Sequence, residues 1–242
     1  MRIPRLYLPD ESADHADVPL GAAAFNYLTR VLRLRQGAEL IVFDGHGRQC
    51  SAQLTRLEKK AGAITLHQWQ THCVESPLSI HLGIAVSRGE RMDWVIQKAT
   101  ELGVTTITPL VSERTEVKLQ GDRADKKIQH WQQIAISACE QCGRNQLPLI
   151  HPTNHLQDWC TQVEAQQKWV LHHRTKNRLG AATSVDSAAL LIGPEGGLSE
   201  PEITLAETQG FAALQLGPRV LRTETAPIAA ITLLQYVWGD FR

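Results

Sequence analysis

The stretch Ala189–Glu202, ALLIGPEGGLSEPE, sets an apolar run against a turn holding three glycines, one acid and one proline. The run ending at Ile192 reads as a buried strand, since it offers no alternating polar face to water. Ser199, with Glu202 three residues on, predicts a helix start through a capping box, and Pro201 fits the first turn because its missing N–H has no partner to lose. The order is therefore strand, bare turn, helix. In an open α/β sheet ligands settle at the carboxyl ends of strands. Gly193, Gly196 and Gly197 clear side chains from that place, so a flat, uncharged ring can meet backbone N–H and C=O groups directly. The turn lacks the Gly-Lys-Ser/Thr of a phosphate loop and the G-x-G-x-x-G of a dinucleotide fold. Glu195 in its middle would repel phosphate and suits an amine, a hydroxyl or a cation.

A second segment repeats the form. In Leu214–Pro227, LQLGPRVLRTETAP, an apolar run meets glycine and proline, then a loop, then a helix. Arg219 and Arg222 bring positive charge, and Thr223, Glu224 and Thr225 stand where a helix start wants acceptors. Pro227 belongs in that helix's first turn. Two such turns at neighbouring strand ends make one site.

Elsewhere, strands and helices alternate from about residue 77. LSIHLGIAV is a strand. In GERMDWVIQKATELG, Met92, Val95, Ile96, Ala99 and Leu102 recur at helical spacing, and Gly103 stops the helix. VTTITPLV is the next strand. DKKIQHWQQIAISACEQCG is a long helix striped by Ile128, Trp131, Ala135, Ala138 and Cys142. NHLQDWCTQVEAQQ predicts another helix, KWVLHH and AALLI two more strands. Such alternation means an α/β domain with a mainly parallel sheet. Residues 1–72 differ: AELIVFD, QCSAQLTRL and AGAITLHQW are short strands around a GHG turn, with one short helix over GAAAFNYLTRVLRL. That pattern suits a small β-barrel. The predicted boundary lies at 72/73, followed by the polar link around Pro77.

Composition excludes several classes. Acids and bases balance at 25 each, so bulk attraction to nucleic acid is absent, though a local basic face is not. No apolar stretch is long enough to span a membrane, and the N-terminal residues lack the apolar core of a secretory signal, so a cytoplasmic location is expected. Five scattered cysteines argue against a disulfide framework, and Cys139-x-x-Cys142 falls inside a helix as packing, so no metal is expected. Trp94, Trp131 and Trp238 read as core, and Trp69 as the candidate for base stacking. The last helix is apolar on two sides, Ile228, Ile231, Leu234 and Trp238 on one, Ala229, Leu233 and Val237 on the other, which predicts burial against a sheet and against a second subunit, the alternative being a central helix within one subunit.

LLIGPEGGLS together with LGPRVLRTETA resembles the bacterial ribosomal RNA small-subunit methyltransferase E family, of the SPOUT class. RGERMDWVIQKATELGV, SERTEVKL and ISACEQCGRNQLP resemble that family's segments in the same order, over the whole chain. Pro227 stands where many relatives have a small or aliphatic residue. The resemblance implies an N-terminal PUA-like barrel for RNA (1–72) and a C-terminal SPOUT domain (73–242) that carries a trefoil knot and dimerises. It implies methylation of N3 of a uridine in small-subunit (16S) ribosomal RNA, within a 30S-like particle, with S-adenosyl-L-methionine as cofactor and no metal. Methylation of another position, such as ribose 2′-O, is the alternative within the class. Carried onto this chain, the cofactor residues are Leu171, His172, Ile192, Gly193, Pro194, Glu195, Gly196, Gly197, Leu216, Gly217, Val220 and Leu221.

The chemistry narrows the remaining roles. Uridine N3 carries a proton, and its loss spreads negative charge to O2 and O4, which an arginine stabilises. Arg222 is the first candidate and Arg219 the alternate. Glu224 is expected to orient and Glu195 to order its loop, either being an acceptor for the proton directly or through water. Arg30, Arg33, Arg35, Arg88, Arg91, Arg114, Lys118 and Arg144 are the expected RNA contacts.

Overall fold

Period-two alternation builds the first of two units. The computed structural model describes residues 3–9, 14, 16–117, 119, 121–172 and 184–241. Its contacts divide the chain into Met1–Glu75 with Cys139–Leu147, and Ser76–Ala138 with Pro148–Arg242.

In the first unit the strands are β1 (Arg5–Tyr7), β2 (Asp17–Pro19), β3 (Glu39–Phe43), β4 (Arg48–Leu57), β5 (Gly62–Leu66) and β6 (Gln70–Thr71). They form one mixed sheet in the order β1-β3-β4-β5-β2, with β6 also on β4. Only β1 and β3 run parallel. Leu40, Val42, Leu54, Ile64 and Leu66 alternate inward to a core that also takes Leu28. The β3–β4 turn is fixed by Asp44, whose Oδ1 accepts from the amides of His46 (2.7 Å) and Arg48 (3.1 Å) while Oδ2 pairs with Arg48 Nε at 2.6 Å. Gly45 and Gly47 supply the positive φ it needs, 81° and 101°. The predicted short helix is α1 (Ala22–Asn26) running into a wider π-helical turn at Tyr27–Val31. Arg33 follows at φ 53°.

The segment Cys139–Leu147 returns to this unit, which a single cut at 72/73 does not capture. Arg144 explains much of it. Its guanidinium pairs with Glu75 at 2.6 Å, and its carbonyl accepts from Arg5 Nη2 at 3.1 Å. Asn145 Nδ2 donates to the carbonyl of His72 at 2.8 Å.

The second unit is doubly wound. Its strands are β7 (Ser79–Ala85), β8 (Thr106–Val111), β9 (Leu149–Ile150), β10 (Asn154–His155), β11 (Gln167–Leu171), β12 (Ser187–Ile192) and β13 (Ala212–Leu214). All pair in parallel, in the order β10-β8-β7-β12-β11-β13, with β9 also on β8. The helices are α2 (Arg91–Glu101), α3 (Asp122–Cys142), α4 (Leu156–Gln162), α5 (Glu200–Thr208) and α6 (Thr225–Trp238). Ile80, Leu82, Ile84, Leu190 and Ile192 enter one apolar layer with Val95, Trp131, Ile231 and Leu234 of α2, α3 and α6. Leu110, Val170 and Leu191 enter the other with Trp159, Ile203 and Ala206 of α4 and α5. Cover on both faces is why these strands read as unbroken apolar runs.

Three expectations need correction. Trp94 is 51% exposed rather than core, its ring lying 5.0 Å from Lys98 Nζ. The buried positions of α2 are Met92, Val95, Ile96 and Ala99, and Trp94 falls between them on the outer side. Helix α4 ends at Gln162, because Val163 is already extended (ψ 129°) and buried. Helix α6 has no side-chain cap; the Arg222 carbonyl accepts instead from the amides of Thr225 and Ala226, both at 2.9 Å. Pro227 does fall in its first turn.

Candidate functional site

Three strands deliver their carboxyl ends to one place. Strand β11 lies between β12 and β13 in the sheet, so Leu171, Ile192 and Leu214 end side by side. The two glycine segments leave from β12 and β13. Between them is a cavity of about 270 Å³. All twelve residues carried over for the cofactor line it: Leu171, His172, Ile192, Gly193, Pro194, Glu195, Gly196, Gly197, Leu216, Gly217, Val220 and Leu221. Arg219 and Arg114 line it too, whereas Arg222 and Glu224 stand outside the lining.

The first turn is shaped as its sequence dictates. The Gly197 amide donates to the Pro194 carbonyl at 2.8 Å, with Gly197 at φ 68°. A Cβ on Gly193 would meet the Leu198 side chain at 2.9 Å, so only glycine leaves room there. The capping box forms: Glu202 Oε2 accepts from the Ser199 amide at 2.9 Å, and Ser199 Oγ accepts from the Glu202 amide at 3.4 Å. Glu202 Oε1 also accepts from the Glu113 amide at 2.7 Å, tying α5 to the loop after β8.

Charges from two other loops clasp the turn. Arg91 Nη1 donates to Glu195 Oε1 at 2.8 Å, and the Arg88 amide donates to the same oxygen at 3.2 Å. Partial burial would raise the Glu195 pKa, but these donors and its own amide outweigh that and hold the carboxyl below its usual range. Arg114 Nη1 donates to the Gly196 carbonyl at 2.9 Å. Glu224 finds Arg91 Nε at 3.8 Å; no ion pair joins it to Arg222 among the described residues.

The expected RNA contacts separate into groups. Arg144 is corrected: at 5% exposure and paired with Glu75, it holds the return loop and offers no donor to phosphate. Arg88 pairs with Glu116, and Arg91 with Glu195 and Glu224, so both already face carboxylates. Arg30, Arg33 and Arg35 are exposed beside the π-helical turn. Lys118 lies outside the described residues. Trp69 is half-buried against the first unit's core, with Arg48 over its ring at 5.5 Å.

The sequence did not single out Leu198, Ile203, Leu214, Gln215 and Ala226, which also line the cavity, and it marked Thr223 only as a helix-start acceptor. Most sit within the two quoted segments, and Ile203 follows from the capping box, one turn into an amphipathic helix. A second cavity, of about 280 Å³, gave no signal at all. It lies by α4, around His81, Thr108, His151 and Trp159. His81 Nε2 accepts from Trp159 Nε1 at 3.1 Å and sits 2.8 Å from Thr108 Oγ1. Burial, with His151 beside it, pushes the His81 imidazole down to about 4. Buried Cys160 is likewise pushed up to about 12, so its thiol stays protonated as packing.

Comparison with known proteins decides the relationship. The RNA methyltransferase domain family matches residues 74–235, and the RNA methyltransferase PUA domain matches 20–66. A ribosomal RNA small subunit methyltransferase E of Buchnera aphidicola is 38% identical, over 99% of this chain and 98% of its own. The chain belongs to the ribosomal RNA small-subunit methyltransferase E family. Two solved structures of like size resemble this family member throughout, covering 100% of both chains in each case. One is a putative methyltransferase of Legionella pneumophila in complex with the bound cofactor SAM, at TM-score 0.96 and 40% identity. The other is a ribosomal RNA small subunit methyltransferase E of Neisseria gonorrhoeae bound to S-adenosyl methionine, at TM-score 0.92 and 39% identity. This family member thus pairs a PUA-like N-terminal region with an α/β methyltransferase domain. Among its described residues no helix is long and apolar enough to cross a membrane.

Proposed function

We propose that this protein transfers a methyl group from S-adenosylmethionine to N3 of a uridine in small-subunit ribosomal RNA, acting in the cytoplasm on a 30S-like particle. The observation that carries the reading is the cavity at three adjacent strand ends, lined by both glycine turns, in a chain of this family.

The lining fits the cofactor. Leu171, Ile192, Leu216 and Leu221 offer apolar walls for a flat ring, and the glycine turns offer bare backbone. When bound, the cofactor supplies an electrophilic methyl group. The protein's part is to place the uridine and manage charge. Arg219 is at the cavity mouth and Arg222 is exposed beyond it, neither held by a carboxylate among the described residues, so both can face the negative charge that gathers on O2 and O4. Glu195 is already committed to three N–H donors, which suits it to ordering the turn rather than to accepting the N3 proton. Glu224 faces Arg91 and orients that arginine. The N3 proton then leaves to water at the open mouth.

The finer architecture belongs to the same proposal. The second unit, Ser76–Ala138 with Pro148–Arg242, forms a SPOUT domain with a trefoil knot. Supporting it, β12 inserts between β7 and β11, and the chain then crosses to β13 on the far side of β11 before α6. The first unit forms the RNA-gripping barrel, with Arg30, Arg33 and Arg35 on its surface. The protein works as a homodimer through α6, which carries half-buried Leu233 and Tyr236 at 63% exposure. The test is direct. Labelled cofactor is incubated with unmethylated small subunits, and the modified nucleoside is isolated and identified. N3-methyluridine is expected; a ribose-methylated nucleoside, or no transfer, would overturn the reading.

A further inference from the structure

The strands that carry the two glycine turns are not neighbours. Strand β11 separates β12 from β13, and no backbone hydrogen bond among the described residues joins residues 193–198 to residues 215–224. The ladders on β11 space the strand ends, and beyond those ends the two turns have no direct backbone tie to each other among the described residues. One side chain reaches both. Arg91, at the start of α2, donates from Nη1 to Glu195 Oε1 of the first turn (2.8 Å) and presents Nε to Glu224 Oε2 of the second segment (3.8 Å). We infer that Arg91 is a positioning residue of the methyltransferase site, its guanidinium holding the two glycine turns at the spacing the cofactor requires. The inference rests on the reading that the cavity between them takes the cofactor.

Two further observations point the same way. An exposed ion pair alone contributes little, because water screens it and two side chains lose freedom. Here the carboxylate is not held by one donor alone: the Arg88 amide shares its Oε1, and Arg114 grips the next residue's carbonyl from the loop after β8. The Arg88 side chain pairs with Glu116, which joins those two supporting loops. The geometry also weighs against Arg91 as a phosphate contact. Its guanidinium already faces a carboxylate on each side, so it is less free than an unpaired arginine to take up an RNA phosphate. Among the described residues no carboxylate pairs with Arg219 or Arg222, which leaves both to RNA.

The test is a double-mutant cycle read by calorimetric titration of S-adenosylmethionine into the full chain: Arg91→Ala, Glu195→Gln, and both together. Arg91→Ala is expected to weaken binding about 5-fold, with Glu195→Gln similar and the double variant no worse than the weaker single, the signature of shared work. Arg91→Lys, which reaches one carboxylate but cannot span two, should recover part of the loss. RNA affinity at saturating cofactor, and its slope against salt, should not change. Losses that add across the cycle would overturn the inference. So would unchanged cofactor affinity together with a salt slope lowered by about 1, the mark of a lost phosphate contact. Ala226→Trp, which fills the cavity, tests the underlying reading separately. Cofactor binding that survives it would remove the cavity assignment and the inference together, whereas binding lost in this variant with an additive cycle would remove the inference alone. Leu216→Arg serves the same end if the tryptophan variant does not fold.

Discussion

Glu202 is the side chain whose removal should most loosen the site without touching it. The carboxylate is only 6% exposed and accepts two amides, that of Ser199 at 2.9 Å and that of Glu113 at 2.7 Å. In Glu202→Ala both donors lose a charged acceptor. Hydrogen bonds to charged groups contribute about 1.5–3 kcal/mol each. The Ser199 amide is buried and finds no replacement, while Glu113 is exposed and can turn to water. The sum therefore falls toward the lower end, about 3–4 kcal/mol. For a chain of this length each kcal/mol moves the melting point by about 2–4 °C, so a fall of roughly 6–16 °C is expected in scanning calorimetry. Ser199→Ala is the internal comparison. Its cap bond is long, 3.4 Å, and its loss should cost only about 0.5–1 kcal/mol. Cofactor affinity should fall in Glu202→Ala, since α5 begins just after the glycine turn, at Glu200, and its anchor to the neighbouring loop is gone. Should Glu202→Ala cost no more than Ser199→Ala, the account of the tie between turn and loop is wrong.

Other outcomes follow from the same geometry. A Cβ on Gly83 would lie 2.5 Å from two carbons of the Trp159 ring, so Gly83→Ala should destabilise by about 1–3 kcal/mol, read from the urea midpoint; an unchanged midpoint would show that the ring can move. His81 is held neutral with its pKa near 4 against 6.5 when unfolded, so between those values the unfolded chain binds more protons and stability falls as pH falls. The loss should reach about 1–3 kcal/mol on going from pH 6.5 to 4, discounted for solvent screening, and His81→Gln should remove that part of the slope. Arg222→Ala should lower methyl transfer at least about 10-fold while cofactor affinity changes by less than about 3-fold, because it faces charge that develops only during reaction. Equal losses in both would contradict its assignment.

Local pattern in the chain was enough to settle its elements and most of its cavity. Ile80, Leu82 and Ile84, or Met92, Val95 and Ile96, show their partners' side by periodicity alone, and Ser199 with Glu202 names its own helix start. Each glycine turn lies close in the chain to its strand and its helix, so most residues of the cavity lining stand within two short quoted segments. Long-range packing settled what joins distant segments. Nothing near Arg91 in the chain says that Glu195, over a hundred residues on, is its partner, and nothing near Arg144 says that it is buried against Glu75. An arginine reads as a surface charge until the fold supplies its carboxylate. Trp94 reads as core because helical spacing alone does not say which of two apolar sides faces the sheet. The physical reason is the same in each case: hydrogen-bonded turns and amphipathic faces arise from residues a few places apart, whereas charge pairing depends on which loops the sheet order brings together.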